Sequence, residues 1–432
     1  RVRPVLGRQA GSSPVVRIGA RQVRVAAAPE SDWAATAGAA ARPVVDALTA
    51  GGLEPFVVGR HDASVVLGVL YRRRIDAWQA LVVSLNGAGW VAELHVGNRR
   101  RLAAVGAGGR RVAAAAHTWR VYQARQWGGS AIGAATATEI SFWDPGTSGK
   151  LERIGFRDTE RFDERSPYTV ERIDSVDLPG RSAFPIGGSL DYFNEPTDAV
   201  ITWVDGSDPS WRAEFERWRT EVGDAAAPDG LSAARFRSRG ELRYVLRSLW
   251  AYAPWVRQVW VVTAGQHPRW LADHPWVRIV HHAEIMPLEA LPTFNSHAIE
   301  ASLHRIDGLA EHFVYFNDDM FLGRAVVPET FFEPNGLARA FLSEARIAGY
   351  ADNETIAFDT GAIRGSQLLF GRYGRVPARK PHHAPYALRR SVLADLEREF
   401  AEDIAATVRS RFRSATDVST AAALAHHYGI AT

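Results

Sequence analysis

The stretch His312-Phe-Val-Tyr-Phe-Asn-Asp-Asp-Met-Phe-Leu-Gly323 determines how the rest of this sequence is interpreted. Residues 313–316 form a short aromatic and β-branched run, which predicts a buried strand. Asn317, Asp318 and Asp319 follow it directly. Adjacent carboxylates at the end of a buried strand repel each other unless a proton or a cation lies between them. The pair therefore suggests either a site for a hard ion such as Mg²⁺ or a polar turn, where Asn and Asp are common.

A mainly parallel sheet is predicted around this strand. Residues 199–204 and 256–263 are apolar runs with a helical segment between them, and residues 277–281 form a further short run. Strands that alternate with helices are typical of βαβ units. Asp205 and Gly206 form a predicted tight turn after the first of these strands. In such α/β sheets, ligands bind beyond the carboxyl ends of the strands.

Arginines mark the helix predicted between the first two of these strands. Arg239, Arg243 and Arg247 are four residues apart and would share one helical face. Like charges at this spacing cost about 0.2–0.5 kcal/mol per pair, which a bound anion would offset. Arg235 and Arg237 precede the helix and add to the cluster. The arrangement indicates either an anion site or a solvated helix face.

A second helix is predicted just before the acid-bearing strand, with Asn295 or Ser296 as its N-cap. Glu300 and His304 are four residues apart, so they would lie on one face with Arg305 beside them. Two interpretations remain open. The residues form either a carboxylate–imidazole pair near the ion site or a surface ion pair worth about 0–1 kcal/mol.

Length and composition favour a certain number of domains and exclude several classes of protein. A chain of 432 residues favours two domains. A net charge of +3 is too small to indicate nucleic-acid binding. The absence of cysteine excludes disulfides, zinc–thiolate sites and cysteine nucleophiles. No apolar run approaches the ~18 residues of a membrane span.

The order of predicted helices and strands divides the chain into three segments. Residues 1–150 predict a smaller α/β domain without a recognisable metal, phosphate or nucleophile motif. Residues 151–194 are charged and interrupted by Pro and Gly, which predicts a linker. Residues 195–432 form the second domain. Near its end, His382 and His383 precede a helix, a position where paired histidines are more often loop residues than ligands.

Four motifs together resemble the Stealth family. That family includes bacterial capsular polysaccharide phosphotransferases and the α/β subunits of the animal lysosomal-enzyme N-acetylglucosamine-1-phosphotransferase. The motifs occur in the family's order and the resemblance covers residues 198–428, while the family's last characteristic region is not found before Thr432. The motifs are residues 202–208, 235–248, 291–306 and 316–323.

The resemblance implies transfer of a sugar-1-phosphate from a UDP-sugar to a hydroxyl of a glycan acceptor, with release of UMP. It also implies a GT-A-like nucleotide-sugar-binding domain, Mg²⁺ or Mn²⁺ as cofactor, and a cytoplasmic location at the inner face of a bacterial membrane. Peripheral membrane association and a homo-oligomer stay open. Nucleic acid is not expected as a partner.

Site residues follow from the same resemblance, position by position. Asp318 and Asp319 match its metal carboxylates. The predicted substrate-binding residues are Asp205, Gly206, Arg239, Arg243, Asn295, Arg305 and Arg413. The candidates for the general base are Glu300, His304 and His383, which the sequence does not rank.

Two other classes of function fit parts of this pattern. An ordinary metal-dependent GT-A glycosyltransferase would use the same sheet, ion and donor but would form a glycosidic bond and release UDP. A non-catalytic glycan-binding protein would need no divalent ion and would consume no UDP-sugar.

Overall fold

The structure is a computed structural model. It describes residues 15–18, 21–24, 26–27, 36–61, 63–85, 89–127, 130–146, 150–155, 161–174, 176–186, 189–222, 231–347 and 357–432. The chain divides into two compact units. The amino-terminal unit comprises Arg1–Leu190, Trp250–Pro254 and Arg324–Val327, and the carboxyl-terminal unit comprises the rest.

The amino-terminal unit is a mixed α/β structure. Its helices are Ala37–Ala50 (α1), Arg74–Leu85 (α2) and Arg110–Ala115 (α3). Its strands are Val15–Ile18 (β1), Arg21–Arg24 (β2), Ala26–Ala27 (β3), Phe56–His61 (β4), Ser64–Leu70 (β5), Trp90–Val96 (β6), Arg99–Ala104 (β7), Thr118–Gln123 (β8), Arg125–Trp127 (β9), Ser130–Ile132 (β10), Thr138–Pro145 (β11), Leu151–Arg153 (β12), Arg161–Phe162 (β13), Tyr168–Ile173 (β14) and Val176–Arg181 (β15).

Among the described residues, ten of these strands pair into one sheet. The main path runs β14-β15-β4-β5-β11-β8-β6-β7, and β12 joins β13 to β11. The pairs β5–β11 and β4–β15 are parallel, and the others are antiparallel. Trp119 packs edge-on against Trp78 and Phe142, with ring centroids 5.4 and 4.7 Å away. These large rings form the centre of the unit's core.

The linker predicted over residues 151–194 is wrong for most of its length. Strands β12 to β15 lie within it, and the amino-terminal unit extends to Leu190 rather than ending near residue 150. Strand β14 leaves alternate side chains in solvent, and a turn at Asp174, whose φ is +49°, joins it to β15. The exposed charges and turn residues of this hairpin therefore give it a sequence like that of a linker, although β14 and β15 are paired along six residues of each strand.

The carboxyl-terminal unit is organised around one sheet that is mainly parallel. Its strands are Thr197–Thr202 (β16), Val259–Thr263 (β17), Val277–His281 (β18), His312–Asn317 (β19), Leu342–Arg346 (β20), Arg379–Pro381 (β21) and Tyr386–Arg389 (β22). In the described part, five of them pair in the order β18-β17-β16-β19-β22, with only β22 antiparallel. Strands β16, β17 and β19 are almost wholly buried, as their apolar sequences predict.

Helices precede or follow these strands in the way that the βαβ pattern predicts. They are Pro209–Val222 (α4), Glu241–Tyr252 (α5), His282–Ile285 (α6), Ser296–Glu300 (α7), Ala357–Tyr373 (α8), Arg390–Glu399 (α9), Ala401–Arg409 (α10) and Ala425–Ala431 (α11). Helix α5 buries Leu242, Val245, Leu246 and Leu249, which lie on one face of the helix. No helix in the described ranges has the length and apolar content to cross a membrane.

A buried carboxylate ties the amino ends of three central segments together. Asp198 at the start of β16 is fully buried and accepts two hydrogen bonds from the Arg257 guanidinium, at 2.8 and 2.6 Å. It also accepts from Trp260 Nε1 and from the backbone N–H of Ala310, both at 2.9 Å. This network lies at the amino end of β16, so the carboxyl ends of the strands remain free to form a site.

One predicted helix begins later than expected, and another ends earlier. Helix α5 starts at Glu241, so Arg239 precedes it, and Gly240 between them has a φ of +89°. The predicted helix before β19 ends at Glu300, and a separate 3₁₀ turn covers Leu303–Arg305. The hydroxyl of Ser302 donates to the Ala298 carbonyl at 3.1 Å, a local bond that competes with regular helix geometry.

Candidate active site

The candidate site lies where β16 and β19 end side by side. Thr202 pairs with Asn317 in this parallel ladder, so the turn after Thr202 and the acids after Asn317 emerge at the same edge of the sheet. A cavity of about 270 Å³ opens there. Its lining residues are Thr202, Trp203, Val204, Trp211, Arg235, Phe236, Val262, Ala264, His282, Thr293, Phe294, Ser296, Ile299, Asn317, Asp318, Asp319 and Arg413.

Asp318 and Asp319 line this cavity, as the sequence predicts for an ion site at a strand end. Burial, followed by the neighbouring carboxylates of Asp319 and Glu241, raises the pKa of Asp318 to about 7. Glu241 begins α5, so the acid pair lies near the amino end of that helix. Three carboxylates held this close together create a field that a cation would relieve.

The donor atoms suit a hard divalent ion. Within the described ranges, no group of three or more acidic or histidine side chains is arranged to hold a metal alone. Mg²⁺ is commonly bound by one or two protein carboxylates together with substrate phosphates. The Asp318–Asp319 pair provides that number and type of ligand, so the residues present fit such an ion.

His383 lies beside the acid pair. Its Nε2 is 3.7 Å from Asp319 Oδ1, and both side chains are more than half exposed. The residue belongs to the loop between β21 and β22, and β22 pairs with β19. Because that pairing fixes the loop next to the end of β19, His383 is brought to the site although it is distant in sequence.

Arg413 lines the same cavity as the acids. Its Nη2 donates to Ser296 Oγ at 2.7 Å. Arg235 lines the same cavity. Trp211, Phe236 and Phe294 also line it, and they form one buried cluster with Phe215 and Phe412. This aromatic wall explains how two arginines are presented to a small cavity.

A groove of about 1050 Å³ adjoins the cavity, since Trp203, Trp211 and Ala264 line both spaces. Arg239 and Arg243 line the groove and not the cavity. The Arg243 guanidinium lies 4.8 Å from the ring centre of Trp270. Neither arginine forms an ion pair with any residue that the structure describes. The groove therefore presents Arg239 and Arg243 together with Arg269 and the carboxylates of Asp205, Asp208 and Glu214.

Asp205 and Gly206 form the predicted turn at the edge of this groove. Asp205 Oδ1 accepts from the backbone N–H and the hydroxyl of Ser207, at 2.9 and 2.6 Å. The Gln266 side chain accepts a hydrogen bond from the Asp205 backbone N–H and donates one to the Asp205 carbonyl, both at 2.9 Å. A Cβ on Gly206 would lie 2.5 Å from the Phe236 carbonyl oxygen, so this position requires glycine.

Glu300 is close to the site but does not line it. It is 4% exposed, and burial raises its pKa, with His297 and Arg413 acting in the opposite direction. The Tyr315 hydroxyl lies 3.4 Å from Glu300 Oε1. A carboxyl group enclosed in this way cannot reach an acceptor in the cavity, so its predicted role as a general base is not supported by its position.

His304 and Arg305 lie elsewhere, which corrects two predictions. His304 Nε2 is 2.8 Å from Glu397 Oε2 on α9, and Arg305 pairs with the same carboxylate. Neither residue lines the cavity or the groove. The expected Glu300–His304 pair does not form because α7 ends at Glu300, so the four-residue spacing no longer places both residues on one face.

Asn295 is also placed differently from its predicted substrate-binding role. It is fully buried and caps α7, with Oδ1 accepting from the His297 backbone N–H at 3.0 Å. Its Nδ2 donates to the segment that carries Arg413. Asn295 therefore contacts the protein rather than the cavity.

His282 and Asp417 were not among the predicted site residues. Burial lowers the pKa of His282 to about 4, so a neutral imidazole lines the cavity. Asp417 is buried behind Arg413. A histidine after the apolar strand β18 could have been suspected from the strand-end rule, whereas nothing in the local sequence singles out Asp417.

Acids, arginines and a neutral imidazole at the carboxyl edge of a parallel sheet define an α/β domain suited to an anionic ligand and a cation. Comparisons with known families agree with this class. Residues 195–223 match Stealth protein CR1 (conserved region 1), residues 235–340 match CR2 (conserved region 2), and residues 382–430 match CR3 (conserved region 3). The chain belongs to the Stealth family through this part of its sequence.

Curated relatives share the same part of the chain. An exopolysaccharide phosphotransferase from Streptomyces coelicolor is 48% identical over 258 residues, which are 59% of this chain and 47% of the relative. A second one from that organism is 42% identical over 324 residues, or 71% of this chain and 54% of the relative. Exopolysaccharide phosphotransferase CpsY from Mycobacterium tuberculosis is 43% identical over 238 residues, or 54% and 44% of the two chains. The chain thus spans about half the length of the curated relatives it matches.

Proposed function

We propose that this protein transfers a hexose- or N-acetylhexosamine-1-phosphate from a UDP-sugar to a hydroxyl group of a glycan acceptor. The observation that carries the proposal is that Asp318, Asp319 and Arg413 line one cavity at the carboxyl edge of a parallel sheet. Phosphoryl transfer depends above all on positioning and on neutralising charge, and these groups can provide both. The names of the relatives support a phosphotransferase that acts in capsular or cell-surface polysaccharide synthesis.

The cavity and the groove together suggest how the donor binds. Ligand pockets usually measure ~300–1,000 Å³, so a cavity of about 270 Å³ suits one sugar ring and the groove of about 1050 Å³ suits the nucleoside. The diphosphate would then lie between Arg239 and Arg243 on the groove side and Arg413 on the cavity side. The turn at Asp205 and Gly206 would support the nucleoside.

Asp318 and Asp319 would hold Mg²⁺ or Mn²⁺ at this point. When bound, the ion would neutralise charge on the diphosphate. This assignment is supported by the two carboxylates, by the high pKa of Asp318 that burial and its acidic neighbours cause, and by their place at a strand end.

In the proposed reaction, the acceptor hydroxyl oxygen attacks the β-phosphorus of the donor. A new P–O bond forms while the bond from that phosphorus to the bridging oxygen breaks, and UMP leaves with the bonding electron pair. Arg413 would stabilise charge on the equatorial oxygens. The hydroxyl proton passes to a general base, a role that we assign to His383 because it lies beside Asp319 and is open to solvent.

The proposal includes a GT-A-like fold and a cytoplasmic location at the inner face of a bacterial membrane. The parallel order β18-β17-β16-β19, with the acids directly after β19, supports the fold. The location rests on the resemblance of the motifs to the bacterial phosphotransferases of the family.

The decisive experiment incubates the protein with a panel of UDP-sugars, Mg²⁺ and candidate glycans, and identifies the products. UMP and a phosphodiester are expected, and EDTA should abolish both. UDP and a glycosidic bond would instead indicate an ordinary glycosyltransferase. Glycan binding without turnover and without a divalent ion would indicate a binding protein. Asp318→Asn should lose UMP release, whereas Asp307→Asn, at an exposed position outside both spaces, should retain it.

A further inference from the structure

The segment that carries Arg413 is fastened to the segment before α7. The Phe294 backbone N–H donates to the Arg411 carbonyl at 2.7 Å. Asn295 Nδ2 donates to the carbonyls of Ser410 and Phe412, at 3.0 and 3.4 Å. The rings of Phe294 and Phe412 also stack, with centroids 5.1 Å apart and an interplanar angle of 20°. Arg413 therefore follows a residue whose backbone and ring are both held.

The chain that follows Arg413 is held by hydrogen bonds to the side chain of Asp417. This carboxylate is 1% exposed. Its Oδ2 accepts from Asn295 Nδ2 at 2.8 Å and from the Ser414 backbone N–H at 3.0 Å. Its Oδ1 accepts from the Ser414 hydroxyl at 3.1 Å. A buried carboxylate is stable only when donors surround it in this way.

A histidine also approaches Asp417, with His297 Nδ1 at 3.5 Å from Asp417 Oδ2. The shorter contacts of Asp417 are hydrogen bonds to Asn295 and to Ser414, the residue next to Arg413. The hydrogen bonds of Asp417 therefore hold the segment of chain on either side of Arg413.

We propose that Asp417 is a positioning residue that acts through Arg413. With Asn295, it fixes the backbone on both sides of Arg413, so that the guanidinium donates to Ser296 Oγ and lines the cavity that Asp318 and Asp319 also line. Loss of the carboxylate would leave the Ser414 N–H and hydroxyl without this acceptor, would remove one of the three acceptors of the Asn295 amide, and would loosen the segment. The role in turnover rests on the proposed function, while the role in holding Arg413 does not.

The test is a double-mutant cycle of Asp417→Asn and Arg413→Ala. Misplacement of a catalytic contact by ~1 Å can reduce a rate by about 10²-fold. We therefore expect D417N to lower kcat of UMP release about 10- to 100-fold, with a smaller change in KM. On the R413A background, D417N should cause no further loss, because the group it positions is already absent. Asp403→Asn is the matched control, since it removes another ion-paired carboxylate of this unit, bound to Arg364, and should leave kcat unchanged.

A merely structural role gives a different result. In that case the losses from D417N and R413A would multiply, and the proposal would be overturned. An unchanged kcat in folded D417N would also overturn it. If D417N does not fold, Ser414→Ala removes the hydroxyl bond to Asp417 Oδ1 and two local contacts of that hydroxyl with Thr416, while the Ser414 backbone bond to Asp417 Oδ2 remains. This variant should lower kcat less, and only when Arg413 is present, and an unchanged kcat would count against the proposal.

A second readout separates this inference from the proposed function. Calorimetry with inorganic pyrophosphate and Mg²⁺ should show weaker binding in D417N and in R413A, with no further weakening in the double variant. If the wild type binds pyrophosphate in this pattern but releases UMP from no donor, the proposed function fails and the positioning role stands. If UMP release is normal and D417N binds pyrophosphate like the wild type, the positioning role fails alone.

Discussion

His304 Nε2 lies 2.8 Å from Glu397 Oε2, a contact that joins the 3₁₀ turn after α7 to helix α9. Arg305 reaches the other oxygen of the same carboxylate. Burial lowers the pKa of His304, and Glu397 acts against that decrease. The imidazole is thus part of a packing contact between two elements and does not face the cavity.

His304→Ala should therefore reduce stability and spare activity. Loss of this half-buried charged hydrogen bond should decrease the free energy of unfolding by about 1–3 kcal/mol. Urea denaturation measures that decrease, and kcat of UMP release should stay within about 3-fold of the wild type. A 100-fold lower kcat in a folded variant would restore His304 as a candidate base.

His383→Ala should show the opposite behaviour. Its side chain is 61% exposed, so its removal should not change Tm, whereas loss of a general base typically lowers kcat by about 10²–10⁴-fold. His382 is the matched control, because it is exposed and adjacent, and within the described ranges its hydrogen bonds are backbone bonds to Phe341 and Ala384. Equal losses in both variants would show that the loop, rather than the imidazole of His383, matters.

Asp318 predicts a dependence of stability on pH. Its folded-state pKa of about 7 is above the usual 3.8, so the native state favours the protonated form. The resulting stabilisation is fully present below pH 3.8 and is lost as the pH rises through 7. The full shift corresponds to about 4 kcal/mol, and partial solvent access reduces the expected effect to about 1–2 kcal/mol.

Asp318→Asn should therefore raise Tm at pH 8 in EDTA and leave it nearly unchanged at pH 4, which calorimetry can measure. Mg²⁺ should raise Tm of the wild type at pH 8 and not that of the variant, because the ion stabilises the ionised carboxylates. Asp307→Asn should respond to neither condition. A wild type whose Tm is insensitive to Mg²⁺, with or without nucleotide, would contradict the ion site.

The strand end with its acids could be predicted from the sequence because each part of that inference is local. An apolar run predicts a buried strand, and parallel strands bring their carboxyl ends to one edge. For this reason the structure has Asp318 and Asp319 in the lining of the cavity and Asp205 in the lining of the groove, while their roles remain predictions. The cluster of arginines just before α5 and along it could also be predicted, because it follows from their spacing in the sequence alone.

The remaining parts of the site depend on contacts between distant segments. Asn295 meets Phe412 across 117 residues, and His304 meets Glu397 across 93. No periodicity encodes such pairs. The rule that residues four apart share a face failed at Glu300 because it assumes an unbroken helix, and here the helix ends. The linker prediction failed for a related reason, since exposed strands carry the same charged residues as a loop.

The groove supplies the last prediction, which concerns affinity for the donor. Arg243 is exposed, stacks on Trp270 and has no ion-pair partner in the described part of the chain, so its charge is available to an anionic ligand. Hydrogen bonds to charged groups contribute about 1.5–3 kcal/mol, so Arg243→Ala should raise KM for the UDP-sugar about 10- to 100-fold with kcat nearly unchanged. Arg398→Ala, at an arginine that is 77% exposed on α9, should leave KM as it is. If instead kcat falls and KM stays constant, Arg243 acts on the transition state, and the nucleotide does not occupy the groove in the way we propose.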